Sequence, residues 1–213
     1  MKRYALPISI LVVIIILIGL TFLGGSSAPD YTSGIATEPE LSQEWVRGNP
    51  NAAVKLIEYS DFQCPACRSY YGLVKQLETE YGDRVAFVYR HYPLYQIHAN
   101  ADYAARVSEA AGVQGKFWEM HDQLFESQGD WDKLLDPGKT FAKYATELGL
   151  DADKLMSDSE STEVRQEVAN DYQRGQRIGV AGTPTFIVGG AKISNPGSLE
   201  EFQAVLNLVL GTK

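Results

Sequence analysis

Glu58-Tyr59-Ser60-Asp61-Phe62-Gln63-Cys64-Pro65-Ala66-Cys67 joins the end of one apolar run to the start of a second, differently spaced one, and it holds the only two cysteines of the 213-residue chain. Upstream, Val54-Lys55-Leu56-Ile57-Glu58-Tyr59 is mostly apolar and follows the turn formers Gly48-Asn49-Pro50-Asn51, the pattern of a buried strand. Downstream, Cys67, Tyr70, Val74, Leu77 and Tyr81 recur at spacings of three and four, which predicts a helix from about Cys64 to Tyr81 with its stop at Gly82. Arg84-Val85-Ala86-Phe87-Val88-Tyr89-Arg90 then reads as a second strand. A strand, a helix and a strand in this order imply a parallel pair joined by a right-handed crossover.

A cysteine that opens a helix sits where unpaired backbone N–H groups and the helix dipole favour an anion, so the Cys64 thiolate is stabilised. Pro65 in the first turn costs little and presets the backbone. Thiols in such settings have pKa values of roughly 3.5 to 7.5, against about 8.5 when free. Cys67 lies about one turn further in, on the buried stripe with Tyr70 and Val74. Cys64 is therefore expected as the exposed attacking sulfur and Cys67 as the buried resolving one. A C-x-x-C taken alone also fits half a zinc site or a structural disulfide. Zinc needs four ligands, and beyond the pair the chain offers only His91, His98 and His121, with no motif that converges them. A disulfide closing a two-residue loop removes little chain entropy. No metal and no cofactor is expected, and Asp130, Asp132 and Asp136 read as a solvated loop rather than a calcium site.

Residues 98–178 change character to helical patterns, for example Phe117, Met120, Leu124 and then Val164, Val168, Tyr172, with no convincing strand. They read as an all-helical insertion. Strand signals resume at Thr185–Val188, turn at Gly189-Gly190 and return through Ala191-Lys192-Ile193 as a hairpin. A last helix starts at Ser198, which with Glu201 forms a capping box, and is expected to bury Phe202, Val205, Leu206 and Val209. Asp61 reads as a loop or capping residue, His91 and His121 as satisfied structural histidines, and Tyr70, Phe117, Trp118 and Phe125 as core.

At the other end, Met1-Lys2-Arg3 is a short basic head before an apolar run from Ala5 to Leu23, broken only by Pro7, Ser9, Gly19 and Thr21. This is an export signal, and its length at a helical rise comes close to the ~30 Å of bilayer hydrocarbon. The bases predict a cytoplasmic N-terminus. Pro29 after Ser26-Ser27-Ala28 disfavours cleavage there. The expectation is thus a single-pass signal anchor over 1–23, a flexible stalk over 24–47 rich in Gly, Ser, Pro and Asp, and an extracytoplasmic body over 48–213, with secretion after cleavage as the alternative. The formal charge is −8, and it becomes −10 when Lys2 and Arg3 are left out. Such an acidic body argues against nucleic acid and anionic membrane surfaces as partners.

The stretch from Gly48 to Arg68 resembles the DsbA-like branch of the thioredoxin superfamily. Gly115-Lys116-Phe117-Trp118-Glu119-Met120-His121 is similar to that branch's inserted helical domain, and Gly179-Val180-Ala181-Gly182-Thr183-Pro184-Thr185-Phe186 to the segment before its third strand. The resemblance implies an α/β thioredoxin-like fold with core 48–97 and 179–213 around the 98–178 insertion. It implies that Pro184 is cis and faces the redox pair, where proline is the residue for which a cis bond is cheap. Pro65, Ala66 and Thr183 are then the expected substrate contacts beside Cys64. Glu58 matches the position of the superfamily's buried acid, where a carboxylate has a raised pKa and can exchange a proton with Cys67.

These expectations point to a monomeric thiol:disulfide oxidoreductase that donates the Cys64–Cys67 disulfide to unfolded exported chains bearing cysteines. The resemblance implies reoxidation by a quinone-linked membrane partner. The dipeptide Pro65-Ala66 lacks the histidine of the most oxidising relatives, so a reductase or isomerase running the same exchange backwards remains an alternative. A noncatalytic peptide-binding or chaperone module is the alternative of another class.

Overall fold

The computed structural model describes residues 44–212; the expected anchor and most of the expected stalk lie outside the described residues. Strands β1 (Trp45–Gly48), β2 (Val54–Ser60), β3 (Val85–His91), β4 (Thr185–Val188) and β5 (Ala191–Lys192) form one sheet in the order β1-β3-β2-β4-β5. β2 and β3 run parallel, from Val54 opposite Val85 to Ser60 opposite His91, and helix α1 (Pro65–Tyr81) makes the crossover. The other neighbours are antiparallel.

The two-residue period of the strands sorts the sheet into two faces. Val54, Leu56, Val85, Phe87, Phe186 and Val188 meet α1 and the last helix, α8 (Leu199–Leu210), through Val74, Leu77, Tyr81, Phe202, Val205 and Leu206. Ile57, Tyr59, Val88, Tyr92, Val180 and Ile187 form the opposite layer. Between β3 and β4 the chain makes six helices, α2 (Ala101–Val113), α3 (Phe117–Glu126), α4 (Gln128–Trp131), α5 (Gly138–Glu147), α6 (Ala152–Ser159) and α7 (Thr162–Arg177). Their shared core of Val107, Met120, Leu124, Trp131 and Phe141 is continuous with Phe62, Cys64 and Cys67, so the redox pair lies at the seam between insertion and sheet. Among the described residues no helix is long and apolar enough to cross a membrane.

The sheet begins earlier than the sequence reading placed the body. Trp45, Val46 and Arg47, read as stalk, pair antiparallel with Tyr89, Val88 and Phe87. Long-range side-chain contacts fix them. Trp45 stacks on Phe117 at 4.3 Å and donates through Nε1 to Glu109, while Arg47 reaches Glu78 and Asp122. Gly48 closes this strand at φ +78, where a Cβ would fall 2.5 Å from the Val85 carbonyl oxygen. β3 starts one residue later than expected and ends on His91. Helix α1 ends at Gly82 with φ −61, without the left-handed turn expected of a glycine stop. At α8, Ser198 Oγ accepts from the Glu201 N–H, but the Glu201 carboxylate accepts from Gly197 rather than from Ser198, so the box is displaced by one residue. Val209, expected inside, is 38 % exposed, because the stripe that faces the sheet continues from Leu206 to Leu210 and leaves Val209 at its edge.

Candidate active site

Cys64 is the N-cap of α1 in extended backbone, and Pro65 occupies the first helical position where no N–H is needed. Three separate parts of the chain hold this turn. Asp61 Oδ1 accepts from the Gln63 N–H, and Asp61 Oδ2 accepts from the Leu94 N–H and pairs with His98 Nδ1 at 2.7 Å. Gln128 of α4 donates through Nε2 to the carbonyls of Phe62 and Cys64 at 2.7 and 3.1 Å. The Gln63 side chain accepts from the Asn100 N–H and donates to the Asp132 carbonyl. The motif is thereby fastened to the insertion as well as to the sheet.

Both thiols are free. Cys67 has no exposed surface and Cys64 only 6 %, which corrects the expectation of an exposed attacking sulfur: Cys64 is merely the more accessible of two buried ones. The loop before β4 covers it. The Thr183-Pro184 bond is cis, and Cys64 Sγ donates to the Thr183 carbonyl at 3.5 Å. Thr183 Oγ1 is buried without a hydrogen-bond partner and lies beside Cys64, where its hydroxyl can donate to the thiolate. The Pro184 carbonyl is held by Asn195 Nδ2 at 2.8 Å and is therefore occupied within the chain. Pro65 and Ala66 are exposed beside Cys64, where a bound chain can touch them.

The electrostatics of the pair are strongly asymmetric. A hydrogen bond from the Cys67 thiol, helped by the backbone N–H groups of Cys67 and Ala66 and by Thr183, outweighs burial and lowers Cys64 to about 5. Burial, then the bond it gives to Cys64 and the nearby Glu58, pushes Cys67 well above its ordinary value. Glu58, on the β2 face that meets α1, is buried, accepts from Ser60 Oγ at 2.7 Å and is raised by burial to about 7.

The structure thus brings Cys64, Cys67, Pro65, Ala66, Thr183, Pro184 and Glu58 together. Ser60, Asn100, Asn195 and Gln128 belong to the same constellation and were not singled out from the sequence. Ser60 sits two residues after Glu58 on a strand, a spacing that could have flagged it, whereas Gln128 and Asn100 carry no local signal. His91 pairs through Nε2 with Glu109, and His121 through Nδ1 with Asp122, each at 2.9 Å; both are structural, but His91 Nδ1 is buried without a hydrogen-bond partner, so His91 is only partly satisfied. His121, lowered to about 4 chiefly by burial, is neutral near pH 7.

A thioredoxin family model matches residues 40–207. A thioredoxin-like oxidoreductase from Silicibacter pomeroyi superposes with a TM-score of 0.67 at 28 % identity, over 80 % of this chain and 94 % of that one. The thiol-disulfide exchange protein alpha-DsbA2 from Wolbachia pipientis does so with 0.67 at 19 % identity, over 77 % and 86 %. Among curated sequences, the Na(+)/H(+) antiporter NhaA 1 of Mycolicibacterium gilvum is 36 % identical over 163 residues, which make up 75 % of this chain but 25 % of the antiporter. The chain thus spans about a quarter of the length of the curated relatives it matches. The chain belongs to the thioredoxin family, with the architecture of its DsbA-like branch.

Proposed function

We propose that the protein is an extracytoplasmic thiol:disulfide oxidoreductase working as a dithiol oxidase through Cys64 and Cys67. The observation that carries this reading is the asymmetry of the pair, with one thiol lowered to about 5 at a helix N-terminus and its partner raised inside the core. A stabilised Cys64 thiolate favours the reduced protein and makes the disulfide a strong oxidant. A substrate thiolate attacks Cys64 Sγ, the bond to Cys67 breaks, and Cys67 leaves with the bonding electrons. A second substrate thiolate then attacks the substrate sulfur of the mixed disulfide and displaces Cys64 as its thiolate. The substrate gains a disulfide and the protein ends as a dithiol. Glu58, held near 7, supplies the proton for the buried Cys67 sulfur.

The substrates are unfolded exported chains with paired cysteines. Two loops fastened beside Cys64 by Gln63 and Asn100 carry the exposed apolar side chains Ile97, Leu134 and Leu135, suited to such chains. In this reading residues 1–23 anchor a monomer to the membrane, and a quinone-linked membrane partner reoxidises the pair. The test is to mix the oxidised protein with a reduced peptide bearing two cysteines. One disulfide transferred per protein, lost in both Cys64→Ser and Cys67→Ala because neither can carry the Cys64–Cys67 disulfide, is the expected result. Equal peptide oxidation with and without Cys64 would sink it.

A further inference from the structure

Segment 179–184 leads into β4 and covers Cys64, and side chains take up most of its carbonyls. Lys192 Nζ donates to Gly179 at 3.0 Å, the Tyr92 hydroxyl to Val180 at 2.8 Å, the Thr185 hydroxyl to Gly182 at 2.7 Å and Asn195 Nδ2 to Pro184 at 2.8 Å. The donor to Thr183 is the redox sulfur itself, at 3.5 Å. A thiol is a weak donor, and its proton is gone once Cys64 ionises or enters a disulfide. In those states Thr183 is placed by what holds its neighbours. The tie at Gly182 comes from Thr185 and closes within the same loop, so it does not fix the loop's distance from Cys64. The tie at Pro184 comes from a separate segment. Asn195 is exposed, and Pro196 after it restricts its backbone to extended conformations. The Ile193 N–H donates to the Phe186 carbonyl at 3.0 Å, and the Pro196 carbonyl accepts from the Tyr70 hydroxyl at 2.9 Å. Tyr70 stands three residues after Cys67 on α1, with its ring 5.3 Å from that of Phe186. A closed circuit thus runs from Cys64 along α1 to Tyr70, across to Pro196 and Asn195, and back through Pro184 and Thr183 to the sulfur.

We propose that Asn195 and Tyr70 are positioning residues that clamp the Thr183-Pro184 loop at a fixed distance over Cys64. The clamp rests on the exchange reading above and adds what sets the geometry in which a substrate chain meets the sulfur. Held in place, the loop does two things at once. It keeps small molecules from Cys64, and it presents Thr183 to a bound chain in one arrangement, so that little ordering is left for binding to bring about. Loosened, it does the reverse of both: a small reagent reaches the sulfur more readily, whereas a peptide has to order the loop before it can react. The two effects have opposite signs, which a general loss of stability does not produce. Neither side chain touches the sulfur; each acts through the Pro184 and Pro196 carbonyls.

The test measures two rates on the full-length chain and its variants. One is alkylation of the reduced protein by iodoacetamide at about pH 8.5, where Cys64 is a thiolate in every variant. The other is oxidation of a reduced two-cysteine peptide by the oxidised protein. Asn195→Ala is expected to speed alkylation at least about twofold and to slow peptide oxidation about fivefold, the worth of one hydrogen bond. Asn195→Gln, which keeps an amide donor, is expected to recover part of both. Tyr70→Phe keeps the ring against Phe186 and removes only the hydroxyl, and it should shift both rates in the same directions by less. Both rates equal to wild type in Asn195→Ala overturn the clamp, as do two rates that fall together with the thermal midpoint. Faster alkylation with unchanged peptide oxidation overturns the positioning role and leaves a cover alone. Slower peptide oxidation with unchanged alkylation overturns it too, since Asn195 would then touch the substrate itself. Wild-type rates in Tyr70→Phe alone overturn the part given to Tyr70. A wild-type chain that oxidises no peptide overturns the exchange reading, and the alkylation rates then still decide whether Asn195 holds the loop over Cys64.

Discussion

Replacing Glu58 by Gln should make the protein more stable at high pH and leave it little changed at low pH. The carboxyl is raised from 4.5 to about 7, first by burial and then by the charges of Glu78 and Cys64, against the opposing bond from Ser60. A raised folded-state value means that the folded chain holds this proton more tightly than the unfolded one. The stability tied to the neutral acid is therefore complete below about 4.5 and is lost as pH rises through about 7. At about 1.4 kcal/mol per pH unit, wild type gives up about 3 kcal/mol over that window. Glu58→Gln keeps the shape and an acceptor for Ser60 but has nothing to ionise. Urea denaturation of the reduced proteins at about pH 4.5, 6 and 8.5 should show the variant gaining on wild type by about 3 kcal/mol from the lowest to the highest pH. A difference independent of pH would refute the assignment of Glu58 as a neutral buried acid.

Alkylation of the reduced protein by iodoacetamide should modify Cys64 alone, with a half-point near pH 5 and a flat rate from about pH 7 to 9; a half-point near 8.5 would mean an ordinary thiol. Gln128→Leu keeps the bulk of the side chain but removes the donor to two backbone carbonyls, so it should cost about 1–3 kcal/mol in urea denaturation; no loss would mean that water replaces it. Gly48→Ala places a Cβ 2.5 Å from the Val85 carbonyl at φ +78 and should cost about 2 kcal/mol; a neutral change in thermal midpoint would show that β1 detaches at little cost.

The parallel pair, the crossover helix, the helical insertion and the final hairpin were all legible in the sequence, because each rests on local periodicity or turn chemistry. The two cysteines were legible for a related reason, standing between a strand end and a helix start, and Glu58 through the resemblance to the superfamily's buried acid. Strand β1 was not, since Trp45 and Arg47 are placed by Phe117, Glu109 and Asp122, residues far along the chain. The same holds for Gln128 and Asn100, whose partners are main-chain carbonyls that no side-chain pattern announces. Cys64 was misjudged as exposed because its cover comes from the Thr183-Pro184 loop, more than a hundred residues away.

The reduction potential of the Cys64–Cys67 pair tests the central claim most directly. The soluble body is equilibrated with glutathione buffers, quenched in acid, and its free thiols are counted. A stabilised Cys64 thiolate predicts a value near or above about −180 mV, that of a protein which gives its disulfide away. A value near about −270 mV would contradict the account and make the pair a reductant.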